Sequence, residues 1–160
     1  PFNMYEESLR VPLIWNHPGR VPAGIMPPPM VSSYDFFPTI LDYLGLKTTA
    51  DARRVGRSYA PFVMGKNPAW RTRLFFEYAN VRAIRTANLK YVERTREWPS
   101  EFFDLEADPG ETRNRIDDPE QRHQVRALAK ELAEFFKSAG APPIEQWRAT
   151  TKQHMTVYKR

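Results

Sequence analysis

No cysteine occurs among the 160 residues. Disulfides, thiolate metal sites and cysteine nucleophiles are excluded within them, although the redox compartment stays open because many exported proteins lack disulfides. Histidine is scarce. His17, His123 and His154 show neither zinc-ligand spacing nor a pattern suited to a Ser-His-Asp arrangement. No apolar run approaches the roughly 18–20 residues that span a membrane, so no membrane span is expected, and no signal peptide opens the chain. It opens on Pro1 rather than Met. That start reads as an expression boundary or a processing point, and missing targeting information gives no address. Repeats and low-complexity segments are absent as well.

What is present is the composition of one ordinary globular domain, 41% hydrophobic and 13% aromatic. The net charge of +5 raises the question of an anionic partner. Basic residues are interleaved with acids, as in Arg94-Thr95-Arg96-Glu97, which reads as a solvated mixed surface. Basic residues near Tyr91 and Trp98 would suit base stacking, but no ribonucleoprotein-type motif accompanies them, and nucleic acid is not expected as a partner.

Val11–Trp15 is a near-continuous apolar run and predicts a strand in a sheet covered on both faces. The turn signal Pro18-Gly19 follows, and Pro27-Pro28-Pro29 is rigid. Asp35 is expected to cap a helix that places Pro38 at the third position, puts Phe37, Ile40, Leu41 and Leu44 on one face, and stops at Gly45. Ser58 can cap a short helix running to Met64, with Pro61 in its first turn. Leu74–Tyr78, Val81–Arg85, Leu89–Glu93 and Phe102–Leu105 are short β-prone runs with tight connections, which favour an antiparallel meander. Asp118, Pro119 and Gln121 open a long helix whose stripe Val125, Leu128, Ala129, Leu132, Phe135 and Phe136 should lie on the sheet, with Gly140 as its end. Residues 70–138 thus form a small α+β unit, a four-stranded antiparallel sheet packed by the C-terminal helix. Residues 47–69 connect to it, and the tail 139–160 has no clear period. Residues 1–46 offer one strand and one helix, too little to close a core.

Asp117-Asp118 sits at a helix start, where Asp serves capping rather than metal binding. Tyr5-Glu6-Glu7 offers paired carboxylates that could serve acid–base chemistry; the plainer reading is a structural polar network of Glu6, Glu7 and Arg10 beside the strand. Arg82, Arg85, Lys90 and Arg94 alternate along the meander, the usual pattern of a solvent face. No catalytic and no metal-ligating residue is assigned.

Several motifs in order resemble the C-terminal third of the sulfatase family, of the arylsulfatase type within the alkaline-phosphatase-like superfamily. They are Met4-Tyr5-Glu6-Glu7-Ser8-Leu9-Arg10-Val11-Pro12-Leu13-Ile14, Pro18-Gly19-Arg20-Val21-Pro22-Ala23-Gly24, Ser33-Tyr34-Asp35 with Pro38-Thr39-Ile40-Leu41-Asp42 and Gly45, Gly56-Arg57-Ser58, Arg85-Thr86 with Leu89-Lys90-Tyr91-Val92, and Phe103-Asp104-Leu105 with Asp108-Pro109, Glu111 and Asn114. The resemblance covers residues 4–138. It implies that residues 1–46 are the last strand and helix of an α/β catalytic domain, with the remainder a C-terminal subdomain. It implies a parent enzyme that hydrolyses sulfate monoesters with a formylglycine nucleophile and a calcium ion. Neither resides in this chain, which has no Cys/Ser-x-Pro-x-Arg motif; the family's late catalytic Lys would fall just before Pro1. Because the family's C-terminal subdomain packs beside the active site, Arg82, Arg85 and Trp98 become candidates for a substrate rim suited to a sulfated small molecule or carbohydrate, and Tyr5, Glu6, Glu7 and Arg10 become structural candidates near the pocket. The expected partners are the missing N-terminal catalytic domain and a second copy of the chain, through self-association. The rival readings are a phosphonate or phosphodiester hydrolase of the same superfamily and a free-standing binding or oligomerisation domain. Location is left open, with the periplasm or the exterior as the expected places for the parent.

Overall fold

The computed structural model describes residues 3–26, 30–46, 56–95 and 98–146. The chain divides into two compact units, Pro1–Val11 with Phe75–Arg160, and Pro12–Leu74.

The first unit is organised by alternation. Strands β1 (Leu74–Tyr78), β2 (Val81–Arg85), β3 (Leu89–Arg94) and β4 (Glu101–Asp104) form one meander in the order β1-β2-β3-β4. Ala79 takes a positive φ of 52° in the tight β1–β2 turn. Antiparallel register aligns Ile84 with Tyr91 and Tyr91 with Phe102. This row of large side chains faces the C-terminal helix, Arg122–Ser138, and meets its buried Leu128, Leu132 and Phe136. Phe135 stacks flat on Phe75, with ring centroids 3.8 Å apart. The helix starts as Asp118 accepts the Glu120 N–H at 2.9 Å and a 3-10 turn, Pro119–Gln121, leads in. Gly140, at φ 73°, ends it by taking the left-handed conformation. The chain then returns to the core: Ile144 is buried and Ala141 packs on the same cluster. Two residues of the tail without clear period, Ala141 and Ile144, thus turn inward while most of its other described residues stay exposed.

The opposite sheet face presents Val81, Ala83 and Val92 to Met4 and Leu9. These come from an N-terminal segment whose single helical turn, Glu6–Leu9, we call α1. The sheet is thus covered on both faces.

The second unit does not contain the expected strand. Val11–Trp15 is irregular, and Ile14 is 85% exposed. A strand must hydrogen-bond to a neighbour, and among the described residues of this unit none lies alongside. The helix α2 (Phe36–Tyr43) does form, with Pro38 third as expected. Its cap differs, because Ser32 and Asp35 make a reciprocal capping box one turn earlier. Its orientation differs too. Thr39 and Tyr43 are its buried residues, while Phe37 and Leu44 are about half exposed, at 54% and 55%. The polar side of the helix faces in because Asp35 organises it. Its carboxylate accepts from Ser32 N–H at 2.9 Å, Arg57 N–H at 2.8 Å and Arg71 Nη2 at 2.6 Å. Thr39 Oγ1 donates to the Asp35 carbonyl and accepts the Tyr59 N–H. Gly56 is required here because a Cβ would meet the Tyr34 carbonyl oxygen at 2.0 Å. Ser58 Oγ accepts the Ala60 N–H ahead of the short helix α3 (Ala60–Val63), so the helical turns are numbered α1 to α3 and the C-terminal helix is α4. Trp15, Tyr43 and Tyr59 pack edge to face.

Candidate functional site

The sheet face covered by α1 carries the chemistry of the first unit. Arg85 and Lys90 are directly opposed in the β2–β3 register, and two cations in that position repel. Glu6 resolves the conflict: its Oε2 lies 3.0 Å from Arg85 Nη2 and its Oε1 2.7 Å from Lys90 Nζ. Lys90 is fully buried and also donates to Glu111 Oε1 at 2.7 Å and to the Met4 carbonyl at 2.8 Å. Glu111 in turn accepts the Glu6 backbone N–H. Burial acts to raise the Glu6 carboxyl, but the hydrogen bonds from Arg85 and Lys90 outweigh it and hold it below the usual carboxylate range. The ion cluster thus fastens residues 4–6 across the sheet.

Beside it lies a cleft of about 360 Å³ lined by Tyr5, Asn80, Arg94, Trp98 and Glu101, among others. Arg94 donates to Glu101 Oε2 from Nε at 2.9 Å and Nη2 at 2.6 Å, and the Tyr5 hydroxyl donates to Glu101 Oε1 at 3.0 Å. The Tyr5 phenol is pushed up, first by burial and then by the Glu101 carboxylate. Its ring meets Phe103 edge-on at 6.0 Å. Trp98 stands 60% exposed at the edge of this cleft, in a turn fixed by its N–H to the Thr95 carbonyl at 2.9 Å.

The expected solvent face of Arg82, Arg85, Lys90 and Arg94 is corrected by this geometry. Arg82 is 4% exposed, donates to Glu77 at 2.8 Å and to the Pro142 carbonyl at 2.9 Å, and lies over the Phe136 ring. The alternation is real, but both sheet faces are covered, so the cations end in ion pairs. Of the rim candidates, Trp98 reaches an open cleft, while Arg82 and Arg85 are committed to intrachain pairs. Of the near-pocket candidates, Tyr5 and Glu6 join the network; Glu7 and Arg10 are exposed. The sequence reading missed Glu101, Glu111 as a Lys90 partner, and Asn80. Like-charged opposed positions in a hairpin were the available signal for a buried counter-ion.

The family of N-sulphoglucosamine sulphohydrolase C-terminal domains matches residues 2–138. This chain belongs to the C-terminal sulfatase domain family. It is 32% identical over 149 residues to an N-acetylglucosamine-6-O-sulfatase of Bacteroides thetaiotaomicron, covering 84% of this chain and 26% of the relative. The solved complex of BT4656 with its substrate D-glucosamine-2-N,6-O-disulfate is similar at 28% identity, over 66% of this chain and 24% of that one, with a TM-score of 0.55. A phosphonate monoester hydrolase of Silicibacter pomeroyi is similar at 26% identity, over 68% and 25%, with a TM-score of 0.59. The chain thus spans about a quarter of the length of each of these relatives.

The sulfatase motifs now have physical roles. Asp104 Oδ1 accepts the N–H groups of Glu106 and Ala107, and Asp108 accepts from Arg113 N–H and the Thr112 hydroxyl. Asn114 accepts from Phe102 N–H and Ile116 N–H and donates to the Ser100 carbonyl. They fold the loop after β4 so that Glu111, at the strained φ of 53°, reaches Lys90. Among the described residues no three His, Asp or Glu side chains gather as a metal site. No helix of the described residues is long and apolar enough to cross a membrane.

Proposed function

We propose that this chain is the C-terminal part of a sulfatase whose whole protein hydrolyses sulfate monoesters of an amino sugar. The observation that carries the reading is the family match over residues 2–138; the substrate class is supported by the sulfated amino sugars named for the relatives. In this reading the catalytic nucleophile and the calcium belong to a preceding domain. The two bring a covalent nucleophile and charge stabilisation at the sulfate oxygens when present. The present chain anchors residues 4–6 through Glu6, Lys90 and Glu111 and presents the cleft of Tyr5 and Trp98 as part of the pocket rim. The chain alone has no turnover.

A phosphonate monoester hydrolase is the second reading, supported by the Silicibacter pomeroyi structure. The whole protein separates the two. Calcium-dependent hydrolysis of 4-nitrophenyl sulfate exceeding that of a phenylphosphonate monoester is the expected result, and the reverse preference would select the second reading. The purified chain with calcium added is expected to leave the aryl sulfate intact; sustained turnover by it would overturn the proposal.

A further inference from the structure

The charge balance of the Trp98 cleft narrows what can occupy it. Arg94 faces Glu101 at 2.6 Å, with side chains 13% and 14% exposed. The pair is neutral as a unit, and the Tyr5 hydroxyl closes the second carboxylate oxygen. A sulfate ester here would have to draw Arg94 away and leave Glu101 a nearly buried lone charge, which is costly. An uncharged ligand faces no such penalty. The cleft offers it an apolar face, the exposed indole of Trp98, and an acceptor-rich wall. Glu101 has lone pairs beyond those used by Arg94 and Tyr5. Its volume of about 360 Å³ lies at the small end of ligand sites, about 300–1,000 Å³. Acceptors beside one aromatic face suit a ring that is apolar on one side and carries hydroxyl donors on its edge.

We propose that this cleft binds an uncharged pyranose ring laid on Trp98, with hydroxyls donating to Glu101. Its place in a glycan substrate rests on the sulfatase reading: it takes an unsulfated sugar unit.

The test uses the full 160-residue chain and saturation-transfer NMR, with methyl N-acetyl-β-glucosaminide and its 6-O-sulfate as probes. The neutral sugar is expected to bind saturably, roughly tenfold more weakly to Trp98→Ala, with recovery in Trp98→Phe and no preference for the sulfated probe. Circular dichroism of Trp98→Ala should match the parent because the side chain is exposed. No saturable binding, binding untouched by Trp98→Ala, or a salt-sensitive preference for the sulfated probe would each overturn the proposal. In the whole protein, Trp98→Ala should raise KM for a disaccharide sulfate. A whole protein inactive on all sulfates would sink the sulfatase reading while leaving the sugar-binding result standing.

Discussion

The unit built on the meander and the unit of Pro12–Leu74 each organise themselves around a buried charge, yet they treat apolar side chains differently. In the first, Lys90 is buried among Glu6 and Glu111, and apolar residues of both sheet faces are covered by α4 and by the α1 segment. In the second, Asp35 is buried among Arg71 and two backbone N–H groups, while Ile14, Met26, Phe36 and Leu44 are half or more exposed. Polar satisfaction is therefore local: the charge finds its partners within its own unit. Apolar cover is not. Helix α2 folds with correct capping and a correct stop, and still leaves much of its hydrophobic stripe in solvent.

The largest expected effect strikes the first unit's core. Leu132 is fully buried between Ile84, Tyr91 and Phe102. Leu132→Asp places an unpaired charge there and should cost about 4 kcal/mol or prevent folding. Lys130, whose side chain is 78% exposed, should tolerate Lys130→Asp within about 0.5 kcal/mol. Urea midpoints of the two variants measure the difference, and equal small shifts would refute the packing of α4.

Next in size are the buried charges. Lys90→Met removes the cation that Glu6 and Glu111 share, and should lose about 3 kcal/mol. Asp35→Asn strips Arg71 of its counter-ion and should cost a similar amount in the second unit. Calorimetry of both variants sharpens the comparison. If Lys90→Met proved harmless, the cluster would be a surface pairing, and the two units would not share this principle.

How much of this was legible depends on how far a partner lies in sequence. The strands, α4 and the stop at Gly140 follow from period, caps and glycine placement, all local. Trp98 and Tyr5 were legible as candidates, but their meeting was not. It depends on the α1 segment crossing a sheet whose strands begin some 70 residues later. Arg82 and Lys90 were misread for the same reason: alternating cations signal solvent only when one sheet face is wet, and here Pro142, Glu6 and Glu111 arrive from distant positions. Val11–Trp15 has the composition of a strand, but strand structure belongs to pairs of segments rather than to one.

A smaller effect comes from pH. The Glu6 carboxyl is held below its ordinary 4.5 in the fold, its hydrogen bonds from Arg85 and Lys90 overcoming burial. Its stabilising contribution is thus complete above that ordinary value and is lost as pH falls through the lower folded value. Glu93 behaves in the opposite sense. Burial raises its carboxyl, so its ionisation opposes folding at neutral pH and relaxes on acidification. Tm is expected to fall on acidification below about pH 4.5, less steeply in Glu6→Gln. Glu93→Gln should raise Tm at pH 7 and lose that advantage near pH 4. A Glu6→Gln profile parallel to the parent would remove Glu6 from the acid response.

The smallest expected change in stability tests the second unit's exposed face. Ile14 is 85% and Met26 88% exposed; both line one open groove with Trp15 and Phe62. Replacing both with Ser removes little buried area, so the urea midpoint should move by no more than about 0.5 kcal/mol per site. Association is where the effect should appear. Apolar side chains left in water gain roughly 25 cal/mol per Å² when covered, and contiguous exposed patches usually find a partner. The isolated chain is accordingly expected to self-associate, with light scattering showing a concentration-dependent rise in mass that Ile14→Ser with Met26→Ser suppresses. Ala substitutions at the exposed positions Lys130 and Glu134 of α4 should leave that rise unchanged. A strictly monomeric parent chain, or self-association indifferent to the double Ser variant, would mean that this face does not drive contact between copies, and the contrast between the two units would then be one of side-chain placement without consequence for assembly.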